Sequence, residues 1–154
     1  MNSITLIGID PGVTTGSATL YLNCYGERVF LVGSSTILNI MDDVKKMTLV
    51  NHTLVIMEDA RLRTWFGHSG PERWQGAGSI KRDCQIWEEF LQAHEIPYLL
   101  VPPMRNRTKM NSAEFAKYTG IKRSNQHERD AAALLLPYNF KTAVATYEAK
   151  KIRE

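Results

Sequence analysis

A chain of 154 residues with 44% hydrophobic content is long enough for one domain with a core of its own, without disulfide or metal staples. Its formal charge of +3 and pI near 8.9 suit nucleic-acid binding but also many enzymes, so charge alone decides little. Cys24 and Cys84 have no CxxC spacing, no N-terminal signal pattern is present, and no stretch reaches the roughly 18 apolar residues of a membrane span; the expectation is a soluble, cytoplasmic protein from a reducing compartment, with residues 1–154 as a single domain.

Residues 4–9 form a short apolar run of strand character, stopped by Asp10-Pro11-Gly12, a turn signal that leaves Asp10 at the strand's carboxyl end. Residues 16–22 and 28–34 are two further strands, joined by Asn23-Cys24-Tyr25-Gly26, which reads as a hairpin connection. Ile37, Ile40, Met41, Val44 and Met47 recur at helical spacing, and a fourth strand over residues 53–57 ends at Glu58. Residues 61–78 are glycine-rich and aromatic without periodicity, which reads as a loop or mobile excursion. Ile80, Cys84, Trp87, Phe90 and Leu91 then mark a second helix over residues 79–94, closed by Pro97 before a strand at residues 98–101. The last element read is a helix starting near Asn125, with Glu128 three residues on in a capping-box arrangement, and ending at Pro137. The sum is an α/β fold with a five-stranded mixed sheet: a three-strand antiparallel meander first, then parallel strands, flanked by helices.

If the first and fourth strands pair in parallel, Asp10 and Glu58 lie side by side at carboxyl ends, where open α/β sheets place their sites. His127 and Asp130 stand three positions apart and so share one face of the last helix. Three carboxylates and an imidazole form an oxygen-rich set that favours Mg²⁺ or Mn²⁺ over zinc. Each has a blander reading as well. Asp10 before Pro-Gly suits simple turn chemistry. His127 and Asp130 suit a helix N-terminus. Near Glu58, Asp59 is the alternative surface carboxylate, with Arg61 as an available ion-pair partner.

Gly8-Ile9-Asp10-Pro11-Gly12 with Thr15-Gly16, Ile56-Met57-Glu58, and His127-Glu128-Arg129-Asp130-Ala131 together resemble the RuvC-type Holliday junction resolvases of the ribonuclease H-like superfamily, in a form like that of a phage or prophage. The resemblance implies a metal-dependent endonuclease that resolves four-way junctions by paired symmetric nicks, acting as a homodimer in a bacterial or phage-infected cell. It implies two Mg²⁺ ions, with Mn²⁺ able to substitute, on Asp10, Glu58, His127 and Asp130. Many members carry Asp where this chain has His127, and one negative charge less is expected to favour Mn²⁺ relative to Mg²⁺. Lys109 is the candidate lysine near the scissile phosphate, and the helix over residues 79–94 is the expected contributor to the dimer. Arg61 stands where the family has its aromatic wedge, and Trp65 and Phe66 could substitute for that group.

Arg61, Arg63, Arg73 and Lys81, with Trp65, Phe66 and Trp74 among them, suit a surface that stacks on unpaired bases and holds phosphates; packing is the alternative for the aromatic residues. Arg105, Arg107 and Lys122 belong to a second basic stretch, with Lys117, Arg123 and Arg129, just before the last helix. They suit backbone contacts or a solvated basic face. Residues 8–16 also resemble the phosphate loop of the actin and sugar-kinase class, but no second glycine-rich loop follows. A related nuclease acting on another branched DNA or an RNA–DNA hybrid, and a binding protein that holds branched DNA without cutting it, remain as alternatives.

Overall fold

The computed structural model describes residues 4–64, 71–103 and 109–151, without the side chains of residues 71–75 and 77. Strands β1 (Ile4–Asp10), β2 (Thr15–Leu22) and β3 (Arg28–Ser35) form the meander, and helix α1 (Ile37–Val50) leads to β4 (His52–Glu58). One turn of 3₁₀ helix, Ala60–Leu62, precedes α2 (Pro71–Ala93) and β5 (Tyr98–Val101), after which come α3 (Ser112–Thr119), α4 (Gln126–Ala133) and α5 (Phe140–Lys151). The sheet order is β3-β2-β1-β4-β5. β1 and β2 pair antiparallel, as do β2 and β3, whereas β4 is parallel to both β1 and β5. Five mixed strands with helices on both faces match the expected α/β arrangement.

Alternation along the central strands sorts their side chains into two cores. Leu6, Leu20, Leu54 and Ile56 pack with Phe115 of α3, Ala131 and Ala132 of α4, and Ala143 of α5. Ile7, Ile9, Val55 and Met57 face the other way, onto Ile40, Met41 and Val44 of α1 and Cys84, Trp87 and Leu91 of α2. Burial on both faces explains why β1 and β4 read as continuous apolar runs rather than alternating ones. Between β2 and β3 the chain turns through Gly26 at φ 79°, where a residue without a Cβ adopts the left-handed conformation freely.

The structure departs from the sequence reading in several places, among them the end of α4, which stops at Ala133 rather than running to Pro137. Helix α2 begins at Pro71, not near residue 79, so residues 71–78 are helical rather than loop. Pro71 suits a first helical turn, where its missing N–H costs no bond, and the buried residues Cys84, Trp87 and Leu91 anchor the helix further on. Ile80, expected on the apolar stripe, is 42% exposed. Helices α3 and α5 have no counterpart among the elements that the sequence pattern predicts. α3 carries a full capping box, Asn111 with Glu114, and ends at Gly120 with φ 79°. Among the described residues, no helix is long and apolar enough to cross a membrane.

Candidate metal centre

Strand register brings the first two carboxylates together. Ile9 pairs with Met57 in the parallel ladder between β1 and β4, so the next residue of each strand is Asp10 and Glu58. By alternation both belong to the face that carries Leu6 and Leu54, which is the face covered by α4. Asp10 is also the cross-strand partner of Gly16 in β2. A Cβ on Gly16 would collide with the main-chain carbonyl of His127, and one on Gly8 would collide with that of Ala131. Two glycines thus let the backbone of α4 lie directly on β1 and β2, which sets His127 and Asp130 over the strand ends.

The amino end of α4 is fixed independently. Asn125 caps it and forms a reciprocal box with Glu128, and the Asn125 side chain donates to Ser34 Oγ at 2.7 Å. Ser34 in turn donates to Glu128 Oε1 at 3.3 Å, tying the helix to β3. In this setting His127 Nδ1 lies 3.2 Å from Asp10 Oδ2, donating in the tautomer that carries the proton there. Lys109 Nζ donates to Asp130 Oδ2 at 3.0 Å, and Gln126 Nε2 donates to Asp130 Oδ1 at 2.7 Å. Asp10 and Asp130 retain only 18% and 17% side-chain exposure.

Burial pushes the Asp10 carboxyl above its ordinary value, and the charge of Asp130 adds to the rise; the hydrogen bond and charge of His127 and the charge of Lys109 oppose it without cancelling it. A buried carboxylate in that state gains from a further cation. The donor set is hard and oxygen-rich, with one imidazole, and fits Mg²⁺ or Mn²⁺ in kind. Its spacing is more open than a closed coordination shell: among the described residues no three His, Cys, Asp or Glu side chains stand close enough to hold one ion. Asp10, Glu58, His127 and Asp130 are the residues that would hold such an ion, beside the Lys109 ammonium that now meets Asp130.

Asp59, the alternative surface carboxylate, is instead buried at 1% exposure. Arg61 contacts it through Nε at 2.9 Å and Nη2 at 2.7 Å, and the same Nη2 reaches Glu88 of α2 at 2.6 Å. Burial alone would lift the Asp59 carboxyl, yet the side-chain and backbone hydrogen bonds of Arg61 outweigh it and hold it below its ordinary value. The guanidinium expected to hold phosphate is engaged inside the protein, where it clamps the end of β4 to α2. Arg61→Ala is expected to lower stability by about 2 kcal/mol, less than for a fully buried pair because Arg61 keeps part of its surface in water. Urea unfolding at pH 7 measures it, and an Arg61→Ala/Asp59→Ala double variant should lose less than the sum of the single losses.

Lys81 on α2 and Lys122 between α3 and α4 are exposed, and Arg63 is half-buried. Trp65, Phe66, Arg105 and Arg107 lie outside the described residues, as do the side chains of Arg73 and Trp74. Arg129 is no surface cation: it bonds the carbonyls of Met110 at 2.9 Å and Ser124 at 2.6 Å and Gln126 Oε1 at 3.0 Å. Gln126 is the site residue that motif reading missed. Its spacing of four from Asp130 on a helix was the available signal.

No family model matches the chain, and no curated protein does. Among solved structures, the RuvC protein of T. thermophilus in complex with a Holliday junction substrate is similar over 92% of this chain and 97% of its own, with a TM-score of 0.57 and 15% identity. This chain has a RuvC-like fold. At that identity the likeness speaks for the fold alone.

Proposed function

We propose that the chain is a metal-dependent, structure-selective DNA endonuclease acting on four-way junctions as a homodimer, with two divalent ions held by Asp10, Glu58, His127 and Asp130. The observation that carries this reading is the convergence of Asp10, His127 and Asp130 at the carboxyl end of β1, on a fold similar to that of a protein solved with a Holliday junction. Divalent ions, when bound, supply activation of water and stabilisation of the leaving oxygen in phosphodiester hydrolysis. The protein's own part is to hold the ligands. Asp10, 18% exposed at the end of β1, would be a ligand from the sheet, while α4 presents His127 and Asp130 from one face. Lys109, 64% exposed and beside Asp130, can leave that carboxylate and turn its ammonium to a phosphate oxygen. Lys81, Lys122 and Arg123 are exposed cations suited to phosphates further along the arms.

Incubating the protein with a synthetic four-way junction, matched duplex, a flap and an RNA–DNA hybrid, each with Mg²⁺ or Mn²⁺, tests the reading. Paired symmetric nicks confined to the junction, lost in Asp10→Asn, are the expected result, with Mn²⁺ the better ion because His127 gives the site one negative charge less than a carboxylate would. Equal rates in the two metals would remove that explanation of His127. Cleavage mainly of the hybrid or the flap would keep the nuclease and change its substrate. Junction binding without cleavage in either metal would overturn the enzyme and leave a binding protein.

A further inference from the structure

Asp130 sits in a closed ring of polar contacts. Arg129 Nη2 donates to Gln126 Oε1 at 3.0 Å, Gln126 Nε2 donates to Asp130 Oδ1 at 2.7 Å, and Lys109 Nζ donates to Asp130 Oδ2 at 3.0 Å. Arg129 Nε closes the ring on the carbonyl of Met110, the residue next to Lys109, at 2.9 Å. The ring has a definite polarity. A guanidinium only donates, so the oxygen of the Gln126 amide must face Arg129 and its NH₂ must face Asp130. Arg129 is itself anchored by Ser124 O at 2.6 Å and Ser124 Oγ at 3.2 Å, so the amide cannot turn over without losing a charge-assisted bond. One carboxylate oxygen of Asp130 is therefore held within its own helix, and the other is turned to a cation.

We propose that Gln126 is a positioning residue for Asp130, locked in orientation by Arg129 and holding the carboxylate so that Oδ2 faces the cation position now taken by the Lys109 ammonium. The proposal rests on the metal-site reading above and adds to it a residue that touches neither ion nor substrate. Groups that orient a metal ligand in this way characteristically contribute 10–100-fold, by order of magnitude, to metal affinity.

The test is Mn²⁺ binding, read by the electron paramagnetic resonance signal of the free ion, in wild type, Gln126→Met, Asp130→Asn and the double variant, with no DNA present. Gln126→Met should weaken Mn²⁺ binding about tenfold, and should weaken it no further once Asp130 is Asn, because its effect passes through that carboxylate. An equal loss in both backgrounds, or no loss in either, overturns the positioning role. If Asp130→Asn itself binds Mn²⁺ as wild type does, the metal-site reading fails and takes this role with it, an outcome distinct from failure of Gln126 alone. Thermal melts accompany each variant; should the Met side chain destabilise α4, Gln126→Ala, with better helix propensity, carries the same comparison.

Discussion

Gly16→Ala and Gly8→Ala are each expected to lower stability by more than about 3 kcal/mol, the upper range for overpacking a rigid site. At Gly16 the added methyl would overlap the carbonyl of His127 and stand 2.9 Å from its Cβ; at Gly8 it would overlap the carbonyl of Ala131 and stand 3.2 Å from Leu135 Cγ. The obstacle is main chain in both cases, so no rotamer change relieves it, and α4 must lift off the sheet. Lifting costs twice: the apolar contacts of Ala131, Ala132 and Leu135 with β1 and β2 open, and His127 leaves Asp10. Gly76→Ala is the control. A Cβ there meets nothing within 4 Å, in a helix where alanine is favoured over glycine, so that variant should hold or gain up to about 1 kcal/mol. Urea unfolding of the three variants decides the matter, and a Gly16→Ala protein as stable as wild type would show that α4 is not seated as described.

Local signals make some elements legible in the sequence, whereas contacts between distant segments leave no such mark. The strands were legible because their signals are local: apolar runs bounded by Asp-Pro-Gly, by a hairpin turn and by Pro102-Pro103. The amino end of α4 was legible because Asn125 and Glu128 form a box within four residues. An identical box, Asn111 with Glu114, marks α3 and went unread, since it stands among charged residues with only Phe115 buried behind it. Helix α5 offered less, for its apolar residues follow no clean face and its docking on β1 and β4 is a tertiary matter. In the site, Asp10, Glu58, His127 and Asp130 were singled out by motif and by residue chemistry, and the fold brings the strand ends and α4 together. The sequence leaves the partner of Arg61 open, because Glu58 and Asp59 are adjacent carboxylates on opposite faces of one strand end. Only the register of β4 against β1 decides which faces α4 and which is buried against α2. Gly8 and Gly16 read as strand or phosphate-loop residues in sequence, whereas their task is to admit another backbone.

Asp10→Asn is expected to separate stability from activity. The folded protein holds the Asp10 carboxyl above its ordinary value of 3.8 because burial disfavours the charge, so the native state binds that proton more tightly than the unfolded chain does. This contribution to stability is present at low pH and is lost as pH rises through the raised native value; at neutral pH the wild type carries the full cost of a buried carboxylate. Asparagine keeps the shape and removes the charge. Without metal, the variant should therefore melt above wild type at pH 7, and the gap should close as pH falls below the ordinary carboxylate value, where both states of the wild type are protonated. Junction cleavage should fall by more than the roughly hundred-fold that losing a group behind a ligand costs, because a ligand itself is gone. Adding Mn²⁺ supplies the decisive contrast. An ion that binds only the native state stabilises it by mass action, so the wild-type melt should climb with Mn²⁺ concentration past that of Asp10→Asn, whose own melt stays nearly level. Parallel climbs in the two proteins would place the ion elsewhere, and a wild type that melts highest without any metal would mean that His127 and Lys109 already balance the charge of Asp10.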